Sequence, residues 1–318
     1  MQSRAKPTIL LTGRVQSSLM GPLDKEFDVV RLWEAKDRRS ALAAVADKVE
    51  VVVTTAMYGA TADLIAALPR LRLIASFGVG YDTIDVAAAH ARGIAVTTTP
   101  DVLNECVADL ALALLLDITR RVSQADRFVR AGLWAKERFI YGTKLGGKTC
   151  GILGLGAIGL EIAKRATAFG MHVAYCNRKP RPDVDYRYIN TVAELAHVSD
   201  FMILAVPGGA DTHHIVDRAI LAALGPKGFI INIARGAVID EAVLVEMLER
   251  GEIAGAALDV FEHEPRVPDA LFKLDNVVLT PHIASATHET RQAMGDLVLD
   301  NVRALLAGQP LPTALVVA

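Results

Sequence analysis

Thr149-Cys-Gly-Ile-Leu-Gly-Leu-Gly-Ala-Ile-Gly159 is the stretch that decides the fold. An apolar run enters Gly154-x-Gly156-x-x-Gly159, and a helix-like stretch from Leu160 to Phe169 follows at once. This is the strand–turn–helix pattern of a dinucleotide site. Gly154 permits the tight turn, Gly156 lets the backbone approach a pyrophosphate, and Gly159 lets the helix pack close to the strand. The helix N-terminus adds unpaired N–H groups and the positive end of its dipole. Leu155, Ala157 and Ile158 complete the loop and are expected to line the same cofactor. A lone glycine triplet is a weak signal. The strand before it, the helix after it and a second strand, Met171 to Cys176, make it specific.

That second strand ends in Asn177-Arg178-Lys179. An acid at this point accepts hydrogen bonds from the ribose 2′-OH of NAD and repels a 2′-phosphate. Here Asn177 takes its place and cations follow. Arg178 can pair with a phosphate bidentately, and Arg181 adds charge in a Pro-flanked turn. The alternative is that these cations only solvate a loop. NADPH is expected over NADH, with NADH use left open.

The chain has 318 residues, enough for two domains with cores of their own. Hydrophobic residues make up 52% but aromatic ones only 5%, so the core is built from Ala, Val, Leu and Ile, which suits helices packed on buried parallel strands. A net charge of −2 gives no global field for nucleic acid or acidic membranes. Cys106, Cys150 and Cys176 have neither metal-ligand nor redox spacing, and no metal site is expected. The N-terminus has no signal-peptide pattern, and the longest apolar stretch, Val107 to Leu116, is short and broken by Asp109. A cytoplasmic protein is the default expectation.

The first hundred residues alternate strands (Thr8–Thr12, Asp28–Leu32, Glu50–Thr54, Leu73–Ser76, Ile94–Thr97) with helices (Ser40–Ala46, Thr61–Ala67). This segment has no phosphate-binding glycine triplet. Asn104 to Leu116, with Asn104 as N-cap, and Val122 to Ala131 read as helices. A second alternation runs through strands at Thr149, Met171–Cys176, Phe201–Val206, Phe229–Ile233, Ala256–Leu258 and Val277–Leu279. The final helix, Glu289 to Ala307, is placed back on the first domain. The expected fold is α/β with two doubly wound parallel-sheet domains. A Rossmann domain (99–287) is inserted into a flavodoxin-like substrate domain (1–98 plus 288–318). Ligands of such sheets bind at the carboxyl ends of strands, so the cleft between the domains is the expected active site.

Three polar residues follow strands of the second alternation: Arg235, Glu264 and His282. Reduction of a 2-keto acid beside a nicotinamide needs a fixed cation for the carboxylate, which Arg supplies bidentately. It needs a proton donor titrating near neutrality, which His supplies. A carboxylate beside that His keeps it oriented and charged. Taken singly, Arg235 is as readily a surface arginine, His263 a solvated loop histidine and Asp259 a cap.

Four ordered blocks resemble the D-isomer-specific 2-hydroxyacid dehydrogenase family. They are Leu153-Gly-Leu-Gly-Ala-Ile-Gly159, Asn232-Ile-Ala-Arg-Gly-Ala-Val-Ile-Asp240, Ala257-Leu-Asp-Val-Phe-Glu-His-Glu-Pro265 and Thr280-Pro-His-Ile-Ala-Ser-Ala-Thr287. Ser76-Phe-Gly-Val-Gly-Tyr-Asp82 resembles the family's carboxylate-binding turn, so the resemblance spans essentially the whole chain. It implies Arg235, Glu264 and His282 as the catalytic set, with Asp259 near the nicotinamide carboxamide. It implies Val206, Pro207, Thr212, Ile233, Ala234 and Ala284 as further cofactor contacts; many relatives have Gly at the position of Ala284. Within the family the chain is most similar to the glyoxylate/hydroxypyruvate reductases, which give (R)-2-hydroxy acids. Val79 and Gly80 would then offer N–H groups to the substrate carboxylate. Met57, Tyr58, Trp134 and Ser285 would shape the pocket. Trp134 either reaches a neighbouring subunit's active site or anchors a loop, and both readings imply a homodimer built around Asn104–Trp134.

Other readings are a 2-ketogluconate or other 2-ketoaldonate reductase with the same catalytic set and, in another class, a dinucleotide-sensing binding protein. A phosphoglycerate dehydrogenase is expected to extend beyond Ala318 into a regulatory segment. A formate dehydrogenase pairs its His with Gln, where this chain has Glu264.

Overall fold

A computed structural model describes residues 6–315. They fall into two units. One is the chain to Leu103 joined by the chain from Ala286, and the other is Asn104–Ser285.

The first unit holds strands β1 (Thr8–Leu11), β2 (Asp28–Arg31), β3 (Val49–Thr55), β4 (Leu73–Phe77) and β5 (Ala95–Thr97), with helices α1 (Ser17–Glu26), α2 (Arg38–Val45), α3 (Ala62–Ala66) and α4 (Val86–Ala91). All strand pairs are parallel, in the flavodoxin-like order β2-β1-β3-β4-β5. The inner strands β1 and β4 are buried along their whole length, as runs of Ile, Leu and Ala covered on both faces must be. The helix His288–Leu306 packs on α1 and β4. Gln16 Nε2 donates to Arg291 O at 2.7 Å, and Arg303 pairs with Glu26 across the same seam. Helix α1 is not among the expected elements, and it contains Gly21 and Pro22, both poor helix formers. Burial of Leu19 and Leu23 against that C-terminal helix outweighs their poor propensity.

The second unit holds β6 (Thr149–Leu153), β7 (His172–Cys176), β8 (Arg187–Tyr188), β9 (Phe201–Leu204), β10 (Phe229–Asn232), β11 (Gly255–Leu258) and β12 (Val277–Leu279). Its helices are α5 (Asn104–Arg120), α6 (Val122–Arg130), α7 (Ala157–Ala168), α8 (Val192–Val198), α9 (Arg218–Leu224) and α10 (Glu241–Glu249). The sheet is parallel throughout, in the order β12-β11-β10-β9-β6-β7-β8. Strand order reverses at β6, which pairs with β7 on one side and β9 on the other, and this is the switch point of a Rossmann sheet. β10, β11 and β12 are consecutive neighbours, so the residues that follow them emerge side by side.

Several helix starts differ from the expected ones: α2, α3 and the last helix shift by one or two residues, and α7 and α5 differ as well. Helix α7 begins at Ala157 and not at Leu160, because Gly156, extended at φ −80°, serves as its N-cap. Asn104 is the first residue of α5 and not the cap before it. Among the described residues no helix is long and apolar enough to cross a membrane.

Gly159 lies in the first turn of α7 with its Cα against β6. A Cβ added there would overlap the carbonyl oxygen of Gly154. Gly159→Ala therefore forces helix and strand apart, and should lower unfolding stability by about 1–3 kcal/mol in a urea titration. An unchanged midpoint would show that the contact has slack.

Candidate active site

The glycine loop leaves β6 at the switch point. Gly154 has φ +97°, a conformation that favours glycine, and a Cβ there would lie 2.7 Å from Ala205 O. Its N–H donates to Cys176 O at 3.0 Å, which ties the loop to the end of β7. Leu155 buries its side chain. Gly156 and Ala157 are exposed, and a Cβ at Gly156 would meet nothing within 4 Å. Gly156 caps α7 without any side-chain hydrogen bond, so the first-turn N–H groups of this helix are left for a phosphate. The loop thus fits a pyrophosphate: open where an anion must approach and closed where strand and helix must touch.

At the end of β7, Asn177 Oδ1 accepts from Leu155 N–H at 2.6 Å. Arg178 and Lys179 are exposed. Arg181 does more than its turn suggested. Its Nη1 donates to Leu155 O at 3.0 Å and its Nε to Asp183 Oδ1 at 3.0 Å, while its backbone N–H donates to the hydroxyl of Tyr175 at 2.8 Å. Asp183 holds the Arg181 guanidinium protonated, and the same pairing pulls the Asp183 carboxyl below its usual range. A guanidinium is thereby fixed on the glycine loop. Only the charge of Arg181 was visible in the sequence, since its partner Leu155 O is a backbone atom 26 residues away.

The other side of the switch point carries the three residues expected to react, Arg235, Glu264 and His282. At the end of β10, Asn232 is buried; its Nδ2 donates to Arg235 O at 2.9 Å and its Oδ1 accepts from Ala234 N–H at 3.0 Å. This closes the turn Ile233-Ala-Arg and presents Arg235, whose Nη1 donates to Ala234 O at 2.8 Å. A Cβ at Gly236 would overlap the backbone of Phe261, so the turn lies directly on the chain leaving β11.

After β11, Asp259 is fully buried. Three successive backbone N–H groups converge on it. His282 N–H donates to Asp259 O at 2.8 Å, Ile283 N–H to Oδ1 at 2.8 Å and Ala284 N–H to Oδ2 at 2.9 Å. The Thr280 hydroxyl adds a bond to Oδ1 at 2.7 Å. The Ile283 and Ala284 N–H groups form a two-membered nest around the carboxylate, while the His282 N–H meets the main-chain carbonyl of Asp259, and in the turn between them His282 takes φ +53°, rare for a residue with a side chain. Burial pushes the Asp259 carboxyl above its ordinary value, against these hydrogen bonds and the charge of His282.

The nest aims His282 at Glu264, with Nδ1 2.8 Å from Oε2. Phe261 N–H donates to the other oxygen, Oε1, at 3.1 Å. Burial pushes the Glu264 carboxyl up, but the hydrogen bond and charge of His282, the Phe261 N–H and the charge of Arg235 outweigh it, so its pKa lies below the usual value. An ionised carboxylate can only accept, so Nδ1 of His282 carries the proton and donates. The histidine side chain is 38% exposed, leaving Nε2 for a reactant.

Of the remaining expected residues, Val206 and Pro207 follow β9, where the Thr212 hydroxyl donates to Pro207 O at 2.7 Å. Ile233, Ala234 and Ala284 are buried and Ser285 half-buried. Trp134 is 72% exposed in the single turn Leu133–Ala135. Met57, Val79 and Gly80 belong to the first unit, where Met57 and Tyr58 follow β3, and Val79 and Gly80 follow β4.

Residues 112–284 match the family described as D-isomer specific 2-hydroxyacid dehydrogenase, NAD binding domain. The chain is 47% identical over 308 residues to the glyoxylate/hydroxypyruvate reductase A of Arabidopsis thaliana, covering 97% of this chain and 98% of that protein. It is 45% identical to the hydroxyphenylpyruvate reductase of Plectranthus scutellarioides, with the same coverage. Among solved structures, the NADPH-dependent glyoxylate/hydroxypyruvate reductase of Sinorhizobium meliloti, in complex with NADP and malonate, superposes with a TM-score of 0.91. It is 44% identical, with 98% of this chain and 97% of that one covered.

Asp259→Asn keeps the shape of the nest but turns an amide N–H₂ toward a backbone N–H. The variant should lose about 1–3 kcal/mol of stability and lower turnover more than dinucleotide affinity, because the side chain that holds the Ile283 and Ala284 N–H groups next to His282 is weakened. Calorimetric unfolding and a dinucleotide titration check this. Full turnover in the variant would mean that His282 is held by something else.

Proposed function

Because the chain belongs to the D-isomer specific 2-hydroxyacid dehydrogenase family, we propose that it reduces small 2-keto acids, glyoxylate and hydroxypyruvate foremost, to (R)-2-hydroxy acids with NADPH. The observation that carries the reading is the His282–Glu264 pair at 2.8 Å, on the chain after β12 and β11, the two strands next in order to β10, which precedes Arg235. When bound, the reduced nicotinamide supplies a hydride to the keto carbon. Arg235 holds the substrate carboxylate and polarises the ketone. His282 gives the proton on Nε2 to the oxygen that gains electrons. Glu264 holds the ring through Nδ1 and offsets the positive charge that the ring carries before transfer. The ring, open to water on one side, then takes a new proton from solvent.

Several observations favour NADPH over NADH. No acid ends β7, Asn177 is committed to the glycine loop, Arg178 is an exposed cation, and Arg181 is fixed by Leu155 and Asp183. The Sinorhizobium meliloti relative, described as NADPH-dependent, supports the same choice. Large apolar side chains are exposed at Val122, Val129, Trp134, Ile140 and Tyr141, along α6 and the segment after it. A row of this kind supports a homodimer through this face. Light scattering on the purified protein should give twice the chain mass, and Val129→Asp should reduce it to one chain; a monomeric wild type would exclude the dimer.

Steady-state turnover with glyoxylate, hydroxypyruvate, 2-ketogluconate and hydroxyphenylpyruvate, each with NADPH and NADH, tests the substrate class. The two small acids should be reduced most efficiently. Preference for hydroxyphenylpyruvate would move the enzyme toward its Plectranthus relative, and preference for 2-ketogluconate toward the ketoaldonate reductases. NADPH binding without oxidation by any of them would indicate a sensing protein. His282→Ala should retain NADPH binding and lose roughly 10² or more in kcat.

Arg178→Ala should raise the KM for NADPH roughly tenfold, the worth of one charge-assisted contact, and leave that for NADH nearly unchanged. Equal effects on both cofactors would remove Arg178 from the 2′-phosphate.

A further inference from the structure

The second unit carries a cluster that hydride transfer does not use. His213 and His214 follow the single turn Ala210–Thr212 after β9, and Glu262 lies on the chain after β11. His214 Nε2 is 2.9 Å from Glu262 Oε1. The two imidazoles stack with ring centroids 4.0 Å apart and 27° between their planes. One ligand atom from each of the three side chains lies within 4.8 Å of the other two.

The backbone holds this arrangement on both sides. His214 sits at φ +50°, a left-handed conformation uncommon for a residue with a side chain. Its N–H donates to Ala237 O at 2.8 Å, and Val216 N–H donates to Val238 O at 3.1 Å, which fastens the loop to the turn after β10. On the other side, Glu262 N–H donates to Glu241 Oε1 at 3.1 Å, so the buried Glu241 fixes the Glu262 backbone while the Glu262 carboxylate faces the imidazoles. Histidine in this strained region turns its ring toward a carboxylate twice in the unit. His282 does so in the reactive pair; His214 does so with no reaction to explain it.

We infer that His213, His214 and Glu262, brought together by the loops after β9 and β11, bind one divalent transition-metal ion, with Zn²⁺ the best match. Two imidazole nitrogens and one carboxylate oxygen are a donor set that zinc takes with an open fourth position, whereas Mg²⁺ and Ca²⁺ prefer oxygen alone. Metal–ligand bonds of about 2.0–2.2 Å draw the three atoms closer than they now lie. His213 is exposed and can make that movement by side-chain rotation, while His214 and Glu262 stay where the backbone holds them. The ion would link loops from two strands that flank β10, at a point two residues before Glu264 and one residue after Thr212. The site stands on its own geometry and not on the reading of the reaction.

The test uses the full-length protein without an affinity tag, stripped with a chelator. Titration with ZnCl₂ in a calorimeter should give one ion per chain. CoCl₂ should produce the visible bands of four-coordinate Co²⁺, and MgCl₂ should produce no heat. His213→Ala, at an exposed position that leaves the fold intact, should weaken Zn²⁺ roughly tenfold or more and abolish the Co²⁺ bands, and Glu262→Gln should do the same. Three results would overturn the inference: no binding by the wild type, binding that survives His213→Ala, or binding lost instead in His263→Ala or His282→Ala. The last would place the ion on the neighbouring loop histidine or the reactive pair.

Discussion

The convergence of the His282, Ile283 and Ala284 N–H groups on the main-chain carbonyl and the carboxylate of Asp259 is the constraint on which the carboxyl end of this sheet depends. A buried carboxylate without partners would be costly. Here each oxygen is occupied by backbone N–H, and Thr280 supplies one more hydrogen bond. The same contacts compel the chain after β12 to turn through a left-handed residue at His282. That turn brings the imidazole to Glu264, which the Phe261 N–H holds from behind. The chemical groups are therefore positioned by a backbone motif and not by side-chain packing alone. The acid at its centre makes its contacts with residues 280–284 of its own chain.

A parallel sheet makes such convergence economical. β10, β11 and β12 are consecutive in the sheet, so three short connections present Arg235, Glu264 and His282 without a long loop. Gly236 lets the first connection lie on the backbone of the second. Across the switch point the opposite requirement holds. Gly156 leaves space, and a Cβ there would meet no other atom within 4 Å. Two glycines thus serve opposite ends: one permits chain to touch chain, and the other keeps chain away.

How much of this the residues disclosed varies with how local the cause is. The glycine loop was legible because Gly154 and Gly159 answer nearby backbone demands. The parallel order followed from short apolar strands alternating with helices. Arg235, Glu264 and His282 could be named from their positions after strands, though only the fold brings His282 within 2.8 Å of Glu264. Other features have causes distant in sequence. Helix α1 exists because a helix near the far end of the chain covers Leu19 and Leu23, and β8 is a two-residue edge with no periodicity to read. Arg181 finds a backbone carbonyl 26 residues away, and His214 finds Glu262 across 48 residues. A search by spacing, such as the one applied to the cysteines, cannot detect partners chosen by strand order.

The discontinuity of the first unit carries over to how the chain is made. Strands β1–β5 are synthesised first, yet the helix that packs on β4 and α1 is synthesised only after all of Asn104–Ser285. At about 5–20 residues per second, the wait is roughly 10–40 s. The Rossmann unit is a single uninterrupted segment and has every strand it needs when Ser285 is added. The part of the protein that leaves the ribosome first is thus completed last, and during that interval the apolar side chains of α1 and β4 are without their cover.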